Sequence, residues 1–108
     1  MKVKALETVG SIKRADGVVM SDFFGKAEGN RVSMGHAVFP PGTVVPWASH
    51  SGDEYSYILE GCVKCESNQE ICEMSEGMAG FIPSGQEHRS FNDSDEDCKL
   101  LWMLVEKE

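Results

Sequence analysis

Three histidines, His36, His50 and His88, are the chain's full set of imidazoles, the side chains best suited to metal ligation and to proton transfer near neutral pH. His50 and His88 stand beside turn-forming residues, and His50 has a carboxylate close by, in His50-Ser51-Gly52-Asp53-Glu54. On a helix, His50 and Glu54 would share a face. Ser51-Gly52-Asp53 favours a turn instead, and a turn between adjacent strands can also bring both side chains to one side. A divalent metal needs such convergence: neutral imidazole nitrogens and a carboxylate at ~2 Å from one ion.

The elements that must do this positioning are short strands. Glycine and proline are spread along the chain and punctuate short segments, the pattern of an all-β domain. The expected strands are Val3–Glu7, Val18–Phe24, Val32–Phe39, Thr43–Ala48, Tyr55–Glu60, Cys62–Glu66, Glu70–Ser75, Ala79–Ile82, Arg89–Asn92 and Cys98–Val105. Turns are expected at Lys26–Asn30, at Pro40-Pro41-Gly42 and at Pro83-Ser84-Gly85, with a hairpin loop at Ser67-Asn68-Gln69. No segment carries a sustained helical period; Leu6–Ala15, the nearest, contains Gly10. So many short strands at near-regular spacing predict a sandwich or barrel. At 108 residues, with no linker or internal repeat, the chain reads as one domain over residues 1–108. The strand Cys98–Val105 is apolar on both faces, so it is expected to be covered on both sides or to lie at a subunit contact.

The formal net charge is −8, with 18 acidic against 10 basic residues. Such a chain repels phosphate backbones and anionic lipid surfaces, so neither nucleic acid nor a membrane is an expected partner. No apolar run approaches a membrane span, and Met1–Glu7 lacks the apolar stretch of a signal peptide. The expectation is a cytoplasmic protein with reduced thiols. Of the four cysteines, Cys62 and Cys65 have the spacing of a zinc knuckle, but no second close pair accompanies them. The plain reading is four small hydrophobes. Cys65 and Cys72 also flank the hairpin loop, which makes a redox-sensitive bridge between cross-strand neighbours the second reading.

Two motifs give this pattern an ancestry. Gly42 is followed by five residues, then Ala48-Ser49-His50, three residues, Glu54, six residues and Gly61. Gly77 is followed by five residues, then Pro83-Ser84-Gly85, two residues, His88, three residues and Asn92. In order and spacing these resemble the paired motifs of the cupin superfamily, over about half the chain. The resemblance implies a small double-stranded β-helix (jelly-roll) barrel. It also implies a metal held by His50, Glu54 and His88, whose identity among Fe, Mn, Ni, Zn and Cu the ligand types leave open. The departure is Ala48, which stands where the full cupin set has its first histidine. An alanine there leaves room for water or a substrate atom, or marks a site that has lost its metal.

The resemblance implies a dioxygenase, isomerase or lyase acting on a small organic molecule, through a Lewis-acidic or oxygen-activating ion. The alternative is a non-catalytic cupin that binds or senses a small ligand with weak metal or none; a storage role has no support. No general acid or base is evident. His36 qualifies only if it faces inward, and is otherwise a barrel-wall or surface histidine. Trp47 is expected near the pocket rim, packing more than binding. Gln86 and Glu87 read as turn polarity near His88, and Asp93–Asp97 as a solvated acidic loop. If Glu54 points inward, so do Ser56 and Ile58, and Tyr55, Tyr57 and Leu59 face outward. That apolar outer surface predicts a homodimer.

Overall fold

The structure, a computed structural model, describes residues 1–25 and 28–107. Its elements are a helical turn α1 (Leu6–Val9) and ten strands: β1 (Ile12–Lys13), β2 (Val19–Phe24), β3 (Val32–Phe39), β4 (Val44–Ala48), β5 (Asp53–Glu60), β6 (Cys62–Ser67), β7 (Glu70–Ser75), β8 (Ala79–Ile82), β9 (His88–Phe91) and β10 (Cys98–Val105). All pairings are antiparallel and build two sheets. One sheet has six strands in the order β1-β2-β3-β10-β5-β8 and the other four in the order β4-β9-β6-β7. They face one another as a jelly roll, and hydrogen bonds do not close them into a continuous barrel. Among the described residues, no helix is long and apolar enough to cross a membrane.

The strands fall close to where the punctuation put them, with one exception. Val3–Glu7 forms no strand; Leu6–Val9 makes a single helical turn instead. The Ala5 carbonyl accepts from the N–H groups of Thr8 and Val9 and from the Thr8 hydroxyl. Gly10 ends the turn at φ 76°. The two-residue strand β1 pairs with Met20 and Val19 of β2 across an Asp16-Gly17 turn. Of the turn expected at Lys26–Asn30, Lys26 and Ala27 lie outside the described residues. The β6–β7 hairpin turns on Asn68 and Gln69, at φ 50° and 66°. Two consecutive positive φ values make a turn whose twist matches that of its strands.

The core lies between the sheets. Val18, Ala37, Ile58, Val63, Cys98 and Leu100 are buried, with Met20, Phe39, Val45, Met74 and Trp102 packed against them. β10 pairs with β3 along one edge and β5 along the other; Leu100, Trp102 and Leu104 on one of its faces line the space between the sheets, and Leu101 and Met103 lie on the other. Its Trp102 lies over Gly35 of β3. A Cβ at Gly35 would stand 2.4 Å from the indole Cζ2 and 2.3 Å from the Ser21 carbonyl oxygen, so no side chain fits there.

Candidate metal centre

Each prospective ligand is placed by a strand end. β4 ends at Ala48, and His50 follows in the turn to β5. Glu54 lies in the second position of β5, between Leu104 of β10 and Ile82 of β8. His88 opens β9 and stands directly across the ladder from Ala48. Two hydrogen bonds fasten the turns of the two motifs together. The Gly85 N–H donates to the His50 carbonyl at 2.8 Å, and the Ser84 N–H to Asp53 Oδ1 at 2.9 Å. Gly85 has φ 81°, a left-handed conformation that glycine adopts without strain. The motif spacing thus encodes a docking of one turn onto the other, and with it the meeting of the histidines.

His88 Nε2 lies 3.4 Å from Glu54 Oε2, and His50 Nε2 lies 3.7 Å from Glu54 Oε1. The histidine rings are 5.3 Å apart between centroids, and the three ligand atoms lie within 4.8 Å of one another. The backbone sets the tautomer of His88: its Nδ1–H donates to the Gln86 carbonyl at 3.0 Å, which leaves the Nε2 lone pair facing the carboxylate. Side-chain exposure runs from 8% at His88 through 30% at Glu54 to 41% at His50, so the group is anchored at its buried end and open at the other. Two imidazoles and one carboxylate fit a divalent transition metal.

The group opens into a cavity of about 1040 Å³ between the sheets. Ala48, His50, Glu54 and His88 line one part of it, and Met20, Phe39, Val45, Leu100, Trp102 and Leu104 give it an apolar body. Ser56, Cys65 and Ser90 add polar points, and Arg14 and Asp16, which are ion-paired, line it from the β1–β2 turn. The indole Nε1 of Trp102 is buried without a hydrogen-bond partner. Burial pushes the Cys65 thiol above its ordinary range, against the opposing effect of a Ser90 hydrogen bond.

The remaining residues singled out in the sequence lie elsewhere. His36 does not line the cavity; its neighbours in β3, Ala37, and Phe39 beyond, do. It is buried on the other face, with Ser21 and Leu101 as its cross-strand neighbours. Burial, and after it the charge of Lys99, holds the imidazole below its usual pKa. It is therefore no acid or base for the cavity. Trp47 is not at the rim: it is 51% exposed and faces Arg89, whose guanidinium lies 6.0 Å from its ring and 4.8 Å from that of Phe91. Its neighbours Pro46 and Ala48 line the cavity, so strand alternation turns Trp47 to the opposite face. Gln86 Nε2 donates to Ser67 Oγ at 2.8 Å, and Ser67 Oγ donates to the Glu87 carbonyl at 2.7 Å, so both residues pin the His88 turn to the β6–β7 hairpin. Asn92 is buried and organises the acidic loop, donating to the Phe39 and Glu96 carbonyls and accepting from Ser94. Arg14, Met20 and Trp102 escaped the sequence reading; only the apolar character of β10 hinted at the last.

A family model described as a cupin domain matches residues 35–104. No curated protein compared with the chain matches it. Among solved structures, a predicted oxalate decarboxylase from Thermotoga maritima superposes with a TM-score of 0.84 at 24% identity, covering 98% of this chain and 100% of that one. The polyketide cyclase RemF from Streptomyces resistomycificus gives 0.87 at 19% identity, covering 99% of this chain and 80% of its own. An RmlC-like cupin from Shewanella frigidimarina gives 0.82 at 15% identity, covering 97% and 90%. At these identities the likeness is one of fold.

Proposed function

Because this chain belongs to the cupin domain family, we propose that it is a metal-dependent enzyme acting on a small, largely apolar organic molecule. One observation carries the reading: His50, Glu54 and His88 converge at an apolar cavity large enough for such a substrate. A divalent transition ion held there would supply Lewis-acid chemistry or, as iron, oxygen activation, which fits a dioxygenase, isomerase or lyase. The chain's own residues would do the rest. The Gln86 carbonyl keeps the His88 Nε2 lone pair free for the ion. Glu54 brings the single carboxylate, so a bound divalent ion keeps net positive charge toward an anionic or carbonyl oxygen of the substrate. Ala48, across from His88, leaves the space that an imidazole would fill. The apolar walls bind the substrate's body and exclude water.

The test is elemental analysis of protein purified without chelators or added metal. About one iron, manganese, nickel, zinc or copper per chain is expected. His88→Ala should lose it while keeping a wild-type circular dichroism spectrum. Full metal in the variant overturns the site. Less than a tenth of an equivalent in the wild type, with no uptake on adding metals back, favours a second reading. That reading is a ligand-binding or sensing cupin without turnover, supported by Ala48 and by His36 lying off the cavity.

A homodimer belongs to the same proposal. Phe81, Tyr55, Met103 and Met34 form one cross-strand row over β8, β5, β10 and β3, and Tyr57 stands in the next. Tyr55, Tyr57, Phe81 and Met103 are 39–55% exposed. An apolar face this continuous suits an isologous pairing with a second copy, and a monomer by light scattering at micromolar concentration overturns it. We also propose a cytoplasmic location, in keeping with four unpaired cysteines.

A further inference from the structure

The β6–β7 hairpin sets two thiols face to face. Ser67 and Glu70 flank its two-residue turn, and two positions further from the turn Cys65 pairs with Cys72. Directly opposed residues in an antiparallel ladder project from the same face. At a hydrogen-bonded position, which alternation from the turn assigns to this pair, their Cα atoms stand about 5.5 Å apart. That separation lies inside the range of roughly 4.4–6.8 Å that a disulfide spans. Cys65 is half-buried and lines the cavity, whereas Cys72 is exposed. β7 is the edge of its sheet and pairs with β6 alone, so its backbone can adjust as a bond closes. The other two thiols are not arranged in this way. Cys62 opposes Ser75, and Cys98 is fully buried, with its thiol pushed up to about 11.

We propose that Cys65 and Cys72 form a reversible dithiol–disulfide site in the cavity wall, oxidised by hydroperoxides. The exposed Cys72 thiolate attacks the peroxide: an S–O bond forms, the O–O bond breaks, and the departing oxygen leaves as alcohol or water. Cys65 then attacks the sulfenic sulfur. The S–S bond forms, the S–O bond breaks, and hydroxide leaves as water with the proton of the Cys65 thiol. Two thiols lose two electrons in total and one hydroperoxide is reduced. The reaction draws the Cys65 sulfur out of the cavity and onto the edge strand, and a dithiol reductant reverses it. None of this depends on the metal reading.

The experiment treats the full chain with a small excess of hydrogen peroxide in the presence of a chelator, then alkylates, digests with trypsin and weighs the peptides. No lysine or arginine lies between Cys65 and Arg89, so one peptide, residues 65–89, carries both sulfurs. The expected result is loss of about 2 Da from that peptide, with alkylation confined to Cys62 and Cys98 and dithiothreitol restoring the original mass. Cys65→Ser should abolish the loss and leave Cys72 as sulfenic acid or its further oxides. The proposal is overturned if Cys65 stays alkylatable while Cys72 goes to sulfinic acid, if the bond joins Cys62 to Cys98, or if chains are cross-linked instead.

Discussion

Gly35→Ala tests the contact that shapes the inner wall of the cavity. The added methyl would meet Trp102 carbons at 2.4 and 2.7 Å and the Ser21 carbonyl oxygen at 2.3 Å. Comfortable carbon–carbon contact is about 3.5 Å or more, so roughly 1 Å of movement is required. The indole can yield toward the cavity that it lines. The Ser21 oxygen cannot, because it belongs to β2 and Ser21 is held in register opposite His36. The strands must part where the six-stranded sheet is continuous. Overpacking of this kind costs about 1–3 kcal/mol, and the rigid backbone partner sets the expectation at the upper end, ~3 kcal/mol. At about 4–6 °C per kcal/mol for a domain of this size, Tm should fall by ~12–18 °C. Calorimetry measures the fall. Trp102 fluorescence, recorded in a Trp47→Phe background, should report the displaced ring. A drop of under ~3 °C with unchanged emission would show that the sheet absorbs the methyl freely and that this wall is not tightly built.

The other predictions concern the site, the buried histidine and the acidic loop. Ala48→His places an imidazole across the ladder from His88 and should tighten zinc or nickel binding by about 10-fold or more, the scale on which even outer-shell partners act; calorimetric titration giving equal affinity refutes it. Because His36 has a lowered pKa in the folded state, the unfolded chain binds its proton first. Stability should therefore decline as pH falls below about 6.5 toward the lower folded pKa, and urea melts of chelator-treated His36→Gln should show a smaller decline over that window. Asn92→Ala removes the buried amide that donates to the Phe39 and Glu96 carbonyls, the latter keeping the Ser94 hydroxyl as a donor, and should cost about 1–2 kcal/mol in urea unfolding; a cost under about 0.5 kcal/mol would mean that water replaces the amide.

The sequence exposed the site more fully than it exposed the surroundings of the site. His50, Glu54 and His88 could be named together because their spacing resembles the paired cupin motifs, which are short enough along the chain to be read from the sequence. The alternation from Glu54 carried through β5: Ser56 lines the cavity, Ile58 is buried, and Tyr55 and Tyr57 are exposed. The same rule, applied to Ala48, turns Trp47 away from the cavity, where its place in the chain alone suggests the rim. Alternation could not orient His36, because the register of β3 is set by β10, some 60 residues away in the chain. Trp102 and Met20 reach the cavity by such long-range pairings. Val3–Glu7 shows the opposite error: a strand is expected, but among the described residues the segment pairs with no strand, and the Ala5 carbonyl is taken by Thr8 and Val9 of the helical turn.

The place of β10 between β3 and β5 also governs when the domain can exist. It is translated after the other nine strands described, yet it alone joins the β1-β2-β3 half of its sheet to the β5-β8 half. Until Cys98–Val105 has left the ribosome, β3 and β5 each present an unpaired edge, and the nascent chain cannot bury the apolar faces on which its core depends. Folding of this sheet thus waits on the emergence of β10. The exposed edges of the unfinished sheet are the period of greatest aggregation risk, which makes the interval before β10 emerges the natural point for chaperone capture.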